Sequence, residues 1–349
     1  VSTAADTPAR PVVLIAPDKF RGSLTAPEVV AAARAGAQGA GWDVIGMPMA
    51  DGGEGMLDAF GGANRTSTVT GPLGTPVEAQ WRLGDDGVAV IESASASGLV
   101  LAGGKEGNDP VGATSAGTGE LVAQAVLEGA MRVVVGLGGS AMSDGGRGAV
   151  EAARAVLDGQ TPAERGVELL AACDVQTPFV EAAQVFGPQK GASGDQVVEL
   201  TGRLFELQGR YVEEFGVDVS TTPGAGAAGG LGGGLLVLGG SLVPGLRLVA
   251  EQVGLADAVA RADAIVTGEG ALDAESFNGK VVGGVVDEAE PYGIPVIVVA
   301  GVVREDAPAA RLAGLRVVDL SATYGAAASW TDTADCLERA VTEQLTTLA

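Results

Sequence analysis

The chain has 349 residues and carries 44 acidic against 21 basic side chains, a formal charge of −23. Such an excess repels nucleic acid and anionic lipid, so neither is expected as a partner. Histidine is absent, which excludes a Ser-His-Asp or Cys-His nucleophile, a histidine base and any histidine metal site, and leaves the chemistry to carboxylates, lysines and hydroxyls.

The length implies about two domains. Cys173 and Cys336 lie outside any CxxC pair, which argues against a zinc site or a disulfide framework and suits a reducing, cytoplasmic setting. The opening VSTAADTPARP lacks the basic flank and apolar core of a secretory leader and reads as a loose tail. The uncharged stretch 219–246 is broken by glycine throughout and does not read as a membrane span.

The first predicted element is a strand over 12–17, buried on both faces as in parallel sheets. It runs into Asp18, Lys19 and Arg21. Thr25 with Glu28 is a capping box, and Pro27 suits a first helical turn, so a helix over 28–38 follows. The charged segment therefore sits at a strand-to-helix switch, where open α/β sheets bind ligands. A strand over 44–49 leads into ADGGEG, with Asp51 and Glu54 around Gly52 and Gly53. These carboxylates suit Mg²⁺ or a substrate hydroxyl; an acidic first turn of a helix fits the same residues.

The middle of the chain changes style. VTGPLGTPVEAQW and its shorter strands suggest a second architecture, inserted between the halves of the first. Strands over 88–91 and 133–136 alternate with helices over 119–127, 148–157 and 197–215. GLGGSAMSDGG follows the second of these strands. There, freed N–H groups at Gly138, Gly139 and Ser140 suit phosphate oxygens, and Asp144 suits a metal or a proton. Asp174 ends a later apolar run, and Lys190 stands between Gly187 and Gly191. A formal GxGxxG at Gly224, Gly226 and Gly229 follows TTP where a dinucleotide fold needs a strand, so hydride transfer is a weak reading. No Walker loop exists.

The last third returns to the first pattern, with strands over 264–267, 295–300 and 317–320 and a helix over 276–290. TGEGALDAES places Gly268, Glu269, Gly270, Asp273 and Glu275 at a strand end, with Lys280 soon after. Clustered acids are costly without a cation among them, which points to magnesium. All four lysines, Lys19, Lys105, Lys190 and Lys280, lie near glycine, as phosphate-holding ammonium groups often do. The fold class is α/β. The expected domains are a parallel-sheet domain from residues 1–64 and 250–349 and an inserted α/β domain over 65–249.

APDKFRGSLTA, ADGGEG, VTGPLGTPVEA, ASASGL, AGTGEL, GLGGSAMSDGG, ACDV, VFGPQKGA, PGAGAAGGLGGGLL and TGEGALDAES with NGK occur in one order. In this the chain resembles the bacterial glycerate kinase family, from about residue 12 to 302. The resemblance implies a Rossmann-like domain built from both chain ends, and ATP-dependent phosphorylation of glycerate with Mg²⁺. The chain departs from the family's usual pattern in the Lys19-Phe20-Arg21 order, in Ala271 where Arg is common, and in a shortened segment after Asp174.

On this reading Lys19, Arg21 and Lys280 hold the glycerate carboxylate or the triphosphate, and Asp18 or Asp51 takes the hydroxyl proton. Asp174 and Lys190 join them as catalytic candidates. Gly52, Gly53, Gly138, Gly139, Ser140, Gly268 and Gly270 are expected around ATP, and Glu54, Asp144, Glu269 and Asp273 around the metal. A closing cleft between the domains would exclude water. A kinase for another hydroxy acid, an inactive effector-binding protein and a homo-oligomer all stay open.

Overall fold

The computed structural model describes residues 10–348, so most of the expected tail lies outside the described residues. The chain divides into two compact units, one formed by both ends, up to Ala50 and from Ala250, the other by Asp51–Val249.

The first unit is built on five parallel strands: β1 (Val12–Ile15), β2 (Asp43–Gly46), β9 (Ala264–Leu272), β10 (Val296–Val303) and β11 (Arg316–Asp319). Their order is β11-β10-β9-β1-β2. This is a doubly wound arrangement in which the connections from β1 and β9 leave towards opposite edges. The helix Ala26–Gly39 joins β1 to β2 and starts as its sequence requires. The Thr25 side chain accepts from Glu28 N, and the Glu28 carboxylate accepts from Thr25 N at 2.8 Å. The C-terminal helix Thr333–Thr346 lies close against it, since a Cβ on Gly36 would stand 2.3 Å from Glu338 O.

Among the elements of the first unit that differ from their sequence outlines, three do so for identifiable local reasons. β2 ends at Gly46 because Pro48 interrupts it, although Met47 N and Met49 N still donate to Ile15 O and Pro17 O. β9 runs five residues past 267, since TGEGAL continues to pair with β10 through Gly268↔Val299 and Ala271↔Val302. The expected helix 276–290 is a short turn, Ala274–Phe277, then a helix, Val281–Ala289, separated where Gly279 takes a φ of +75°.

The second unit holds a six-stranded sheet, β3 (Arg65–Thr70), β4 (Pro76–Leu83), β5 (Val88–Glu92), β6 (Arg132–Gly136), β7 (Glu168–Ala172) and β8 (Ser241–Val243), in that spatial order. β3 and β4 form an antiparallel hairpin, and β5 through β8 are parallel. All four parallel strands therefore present their carboxyl ends on one edge. Trp81, Phe179 and Tyr211 are among its largest fully buried side chains. Residues 51–64, expected with the discontinuous domain, fall in this unit. The Gly55 and Leu57 N–H groups both donate to Glu92 at the end of β5, at 2.9 Å, which ties the segment to this sheet.

Candidate active site

In the first unit Asp18 and Lys19 follow β1 directly, at the switch between β1 and β9. Asp18 N donates to Gly268 O at 2.9 Å, and Lys19 N to Asp18 Oδ1 at 2.7 Å. Buried Phe20 anchors the turn that follows, and Gly22, at φ +86°, passes under the Trp330 ring, where a Cβ would clash at 2.9 Å. Arg21 is exposed on this turn.

Glu269 is the most perturbed acid of this group. Its Oε1 is buried without a hydrogen-bond partner. Burial pushes its carboxyl up to about 7; the Ser276 hydroxyl opposes this, the Asp18 and Asp273 charges add to it, and Lys280 pulls it back. Asp273 caps the following turn, accepting from Glu275 N at 2.9 Å. The structure thus brings Asp18, Asp273 and Lys280 within electrostatic range of Glu269. Among the described residues, no three acidic or cysteine side chains converge as a closed metal cage.

In the second unit two glycine loops meet at the carboxyl edge. A Cβ on Gly138 would lie 2.9 Å from Gly53 Cα, and one on Gly52, at φ +91°, would lie 2.7 Å from Gly245 Cα. Asp51 Oδ1 accepts from Gly53 N at 3.4 Å, and Glu54 is exposed beside it. Asp174, just past β7, accepts from Gly245 N at 2.9 Å. The N–H groups of Gly138, Gly139 and Ser140 find no acceptor among the described residues. With Gly139 at φ +62°, three successive unspent amides form the kind of concavity that binds oxyanions.

Four residues expected at ligand or metal have partners within the protein itself. Asp144, expected at the metal, holds backbone and hydroxyl donors: its oxygens accept from Ser115 N, Ser115 Oγ, Gly146 N and Gly148 N, at 2.7 to 3.2 Å, and so tie down the start of the helix Arg147–Val156. Lys190, expected as a catalytic residue, is 2% exposed and donates to Ser140 Oγ and Met142 O of the glycine loop. Gly268 and Gly270 serve packing. Cβ atoms there would stand 2.0 Å from Val299 O and 3.1 Å from Arg21 N.

The sequence reading missed Glu92. Burial raises its carboxyl above the usual range, against the Leu57 and Gly55 N–H groups it accepts from. The available signal was an acid ending the apolar run VAVI at a parallel strand's carboxyl end. Burial pushes the Cys173 thiol up to about 11, which favours its protonated form at neutral pH.

The model of the glycerate kinase family matches residues 13–160 and 153–349. The chain is 39% identical over 328 residues to glycerate 2-kinase of Escherichia coli K12, covering 84% of this chain and 86% of that one. It is 40% identical over 325 residues to glycerate kinase of Halalkalibacterium halodurans, covering 83% and 85%. A crystal structure assigned to glycerate kinase 2 of Salmonella typhimurium LT2 superposes with a TM-score of 0.81 at 32% identity, over 97% of this chain and 98% of that one. With glycine loops and carboxylates at the carboxyl edges of two parallel sheets, and a family model spanning nearly its whole length, the chain belongs to the glycerate kinase family.

Proposed function

We propose that the protein is an ATP-dependent glycerate kinase, transferring the γ-phosphoryl group to a hydroxyl of D-glycerate with Mg²⁺ as the cation. The observation that carries this reading, beyond family membership, is the row of unspent N–H groups at Gly138, Gly139 and Ser140. Phosphoryl transfer asks a protein mainly for positioning and charge neutralisation, and no covalent intermediate is needed. The loop amides take phosphate oxygens. Lys19, Arg21 and Lys280 supply positive charge for the glycerate carboxylate or the triphosphate. Asp51 or Asp18 accepts the hydroxyl proton.

The donor chemistry of the first unit fits Mg²⁺. Glu269 carries a buried oxygen with no donor and lies beside the charges of Asp18 and Asp273, an arrangement that a hard cation relieves. Glu269 and Asp273 would hold the ion. Mg²⁺ commonly uses one or two carboxylates, with phosphates and water completing its shell, so a closed cage is not required. Bound there, it would neutralise charge on the phosphates.

The test is ADP release from purified protein with ATP, Mg²⁺ and D-glycerate, beside L-glycerate, other hydroxy acids and a no-acceptor control. ADP released with D-glycerate above all other acceptors supports the reading. Preference for a different acid reassigns the substrate, and no acceptor-dependent ADP refutes the kinase.

A further inference from the structure

The loop after β6 is clamped from behind by two side chains. Lys190 Nζ donates to Ser140 Oγ at 2.9 Å and to Met142 O at 2.5 Å. Asn108 Nδ2 donates to Ala141 O at 3.0 Å and to Lys190 O at 2.9 Å. Three successive loop residues are therefore fixed through Lys190 and Asn108. The amine is also enclosed: a Cβ on Gly229 would stand 2.9 Å from Nζ.

This enclosure offers Nζ two acceptors, enough for a neutral amine and one short for an ammonium. Burial accordingly brings the group down to about 7, against the charge of Asp144, the titratable neighbour that acts on it. Ser140 Oγ accepts from Lys190, which leaves its own O–H to donate. Together with the N–H groups of residues 138–140, that makes four donors without an acceptor among the described residues.

We propose that Lys190 is the proton-linked positioning residue of this loop: an oxyanion held by the donors of residues 138–140 draws a proton from solvent onto Nζ, so phosphate binding and proton uptake are coupled. The inference rests on reading the loop as the nucleotide phosphate site. The physical basis is reciprocal: a nearby anion favours the ammonium, and the ammonium in turn favours the anion. At pH 8 the free protein holds Lys190 mostly neutral, so binding takes up close to one proton. At pH 6 the lysine is already charged and little uptake remains.

The chain has four lysines, so protein labelled with ¹³C at lysine Cε gives four signals, and Lys190→Met identifies the relevant one. Should that variant not fold, Lys19→Arg, Lys105→Arg and Lys280→Arg assign it by elimination. The expected midpoint of Lys190 is near 7 in the free protein, moving up by at least about one pH unit with saturating ATP. Calorimetry in buffers of different ionisation heat should show the uptake at pH 8, its decline by pH 6, and its loss in Lys190→Met. A midpoint near that of free lysine, or one unmoved by ATP that calorimetry shows to bind, overturns the coupling while leaving the nucleotide reading intact. Absence of ATP binding overturns the nucleotide reading, and the coupling with it.

Discussion

The carboxylate of Glu92 lies 2.9 Å from the backbone nitrogen of Leu57, and the same oxygen accepts from Gly55 N at 2.9 Å. One half-buried acid at the end of β5 thus fixes the loop that carries Asp51 and Glu54. Replacing it by alanine leaves two amides without their acceptor, at a cost of about 1–3 kcal/mol. Glu92→Ala should lose that stability in urea titrations and lose turnover with it. Glu92→Gln keeps an accepting oxygen and should retain more of both; equal losses in the two variants would assign the effect to charge rather than to loop position.

Glu269 makes a pH prediction of definite sign. Its folded carboxyl titrates near 7 and an unfolded glutamate near 4.5, so the folded state binds the proton more tightly. Its contribution is fully present below about pH 4.5 and is lost as pH rises through 7. Glu269→Gln, neutral throughout, should match the wild type at acid pH and exceed it at pH 8, by up to about 3 kcal/mol. Mg²⁺ should stabilise the wild type at pH 8 more than the variant. Thermal melts at both pH values, with and without the ion, decide; a variant less stable at pH 8 would contradict the burial argument.

Asp144 separates a scaffold from a ligand. Four donors converge on its oxygens, two at the start of the helix Arg147–Val156 and two at the start of the helix Ala116–Leu127. Asp144→Ala should therefore unfold at markedly lower denaturant, by several kcal/mol for a lost charge-assisted network. The Mg²⁺ concentration that half-saturates activity should stay unchanged in whatever fraction remains folded. A large rise in that concentration without loss of stability would return Asp144 to the metal.

Much of this arrangement is legible in the sequence, for local reasons. The Thr25–Glu28 box and Pro27 mark a helix start by chemistry confined to four residues, and the structure has the helix at Ala26–Gly39. Apolar runs ending in Asp18 or Asp174 likewise announce strand ends at a ligand-binding edge. What the sequence conceals is long-range. Asp144 and Lys190 are residues that look functional, but whether such a group faces ligand or spends its hydrogen bonds on the backbone depends on residues 29 and 48 positions away. Gly268 looks like a phosphate loop residue because glycine serves close backbone packing and anion binding alike; only the Val299 carbonyl distinguishes them. Asn108 leaves no signal at all, since GNDP reads as any polar turn.

The two glycines at the tip of the loop after β6 separate packing from binding. At Gly138 a Cβ would meet Gly53 Cα at 2.9 Å and Glu54 N at 3.4 Å, forcing the two glycine loops apart. At Gly139 the nearest atom to a Cβ is Ala94 Cβ at 3.3 Å, a milder contact, but the φ of +62° strains any L side chain by roughly 1–2 kcal/mol. Gly138→Ala should therefore displace Asp51 as well as the amides, raising the KM for ATP and lowering kcat together. Gly139→Ala acts on the amides alone, so its KM for ATP should rise while kcat at saturation falls less. Steady-state kinetics with both variants, after far-UV dichroism confirms folding, discriminates. If both leave the ATP dependence untouched, residues 138–140 do not cradle the nucleotide, and the free amides would need another anion.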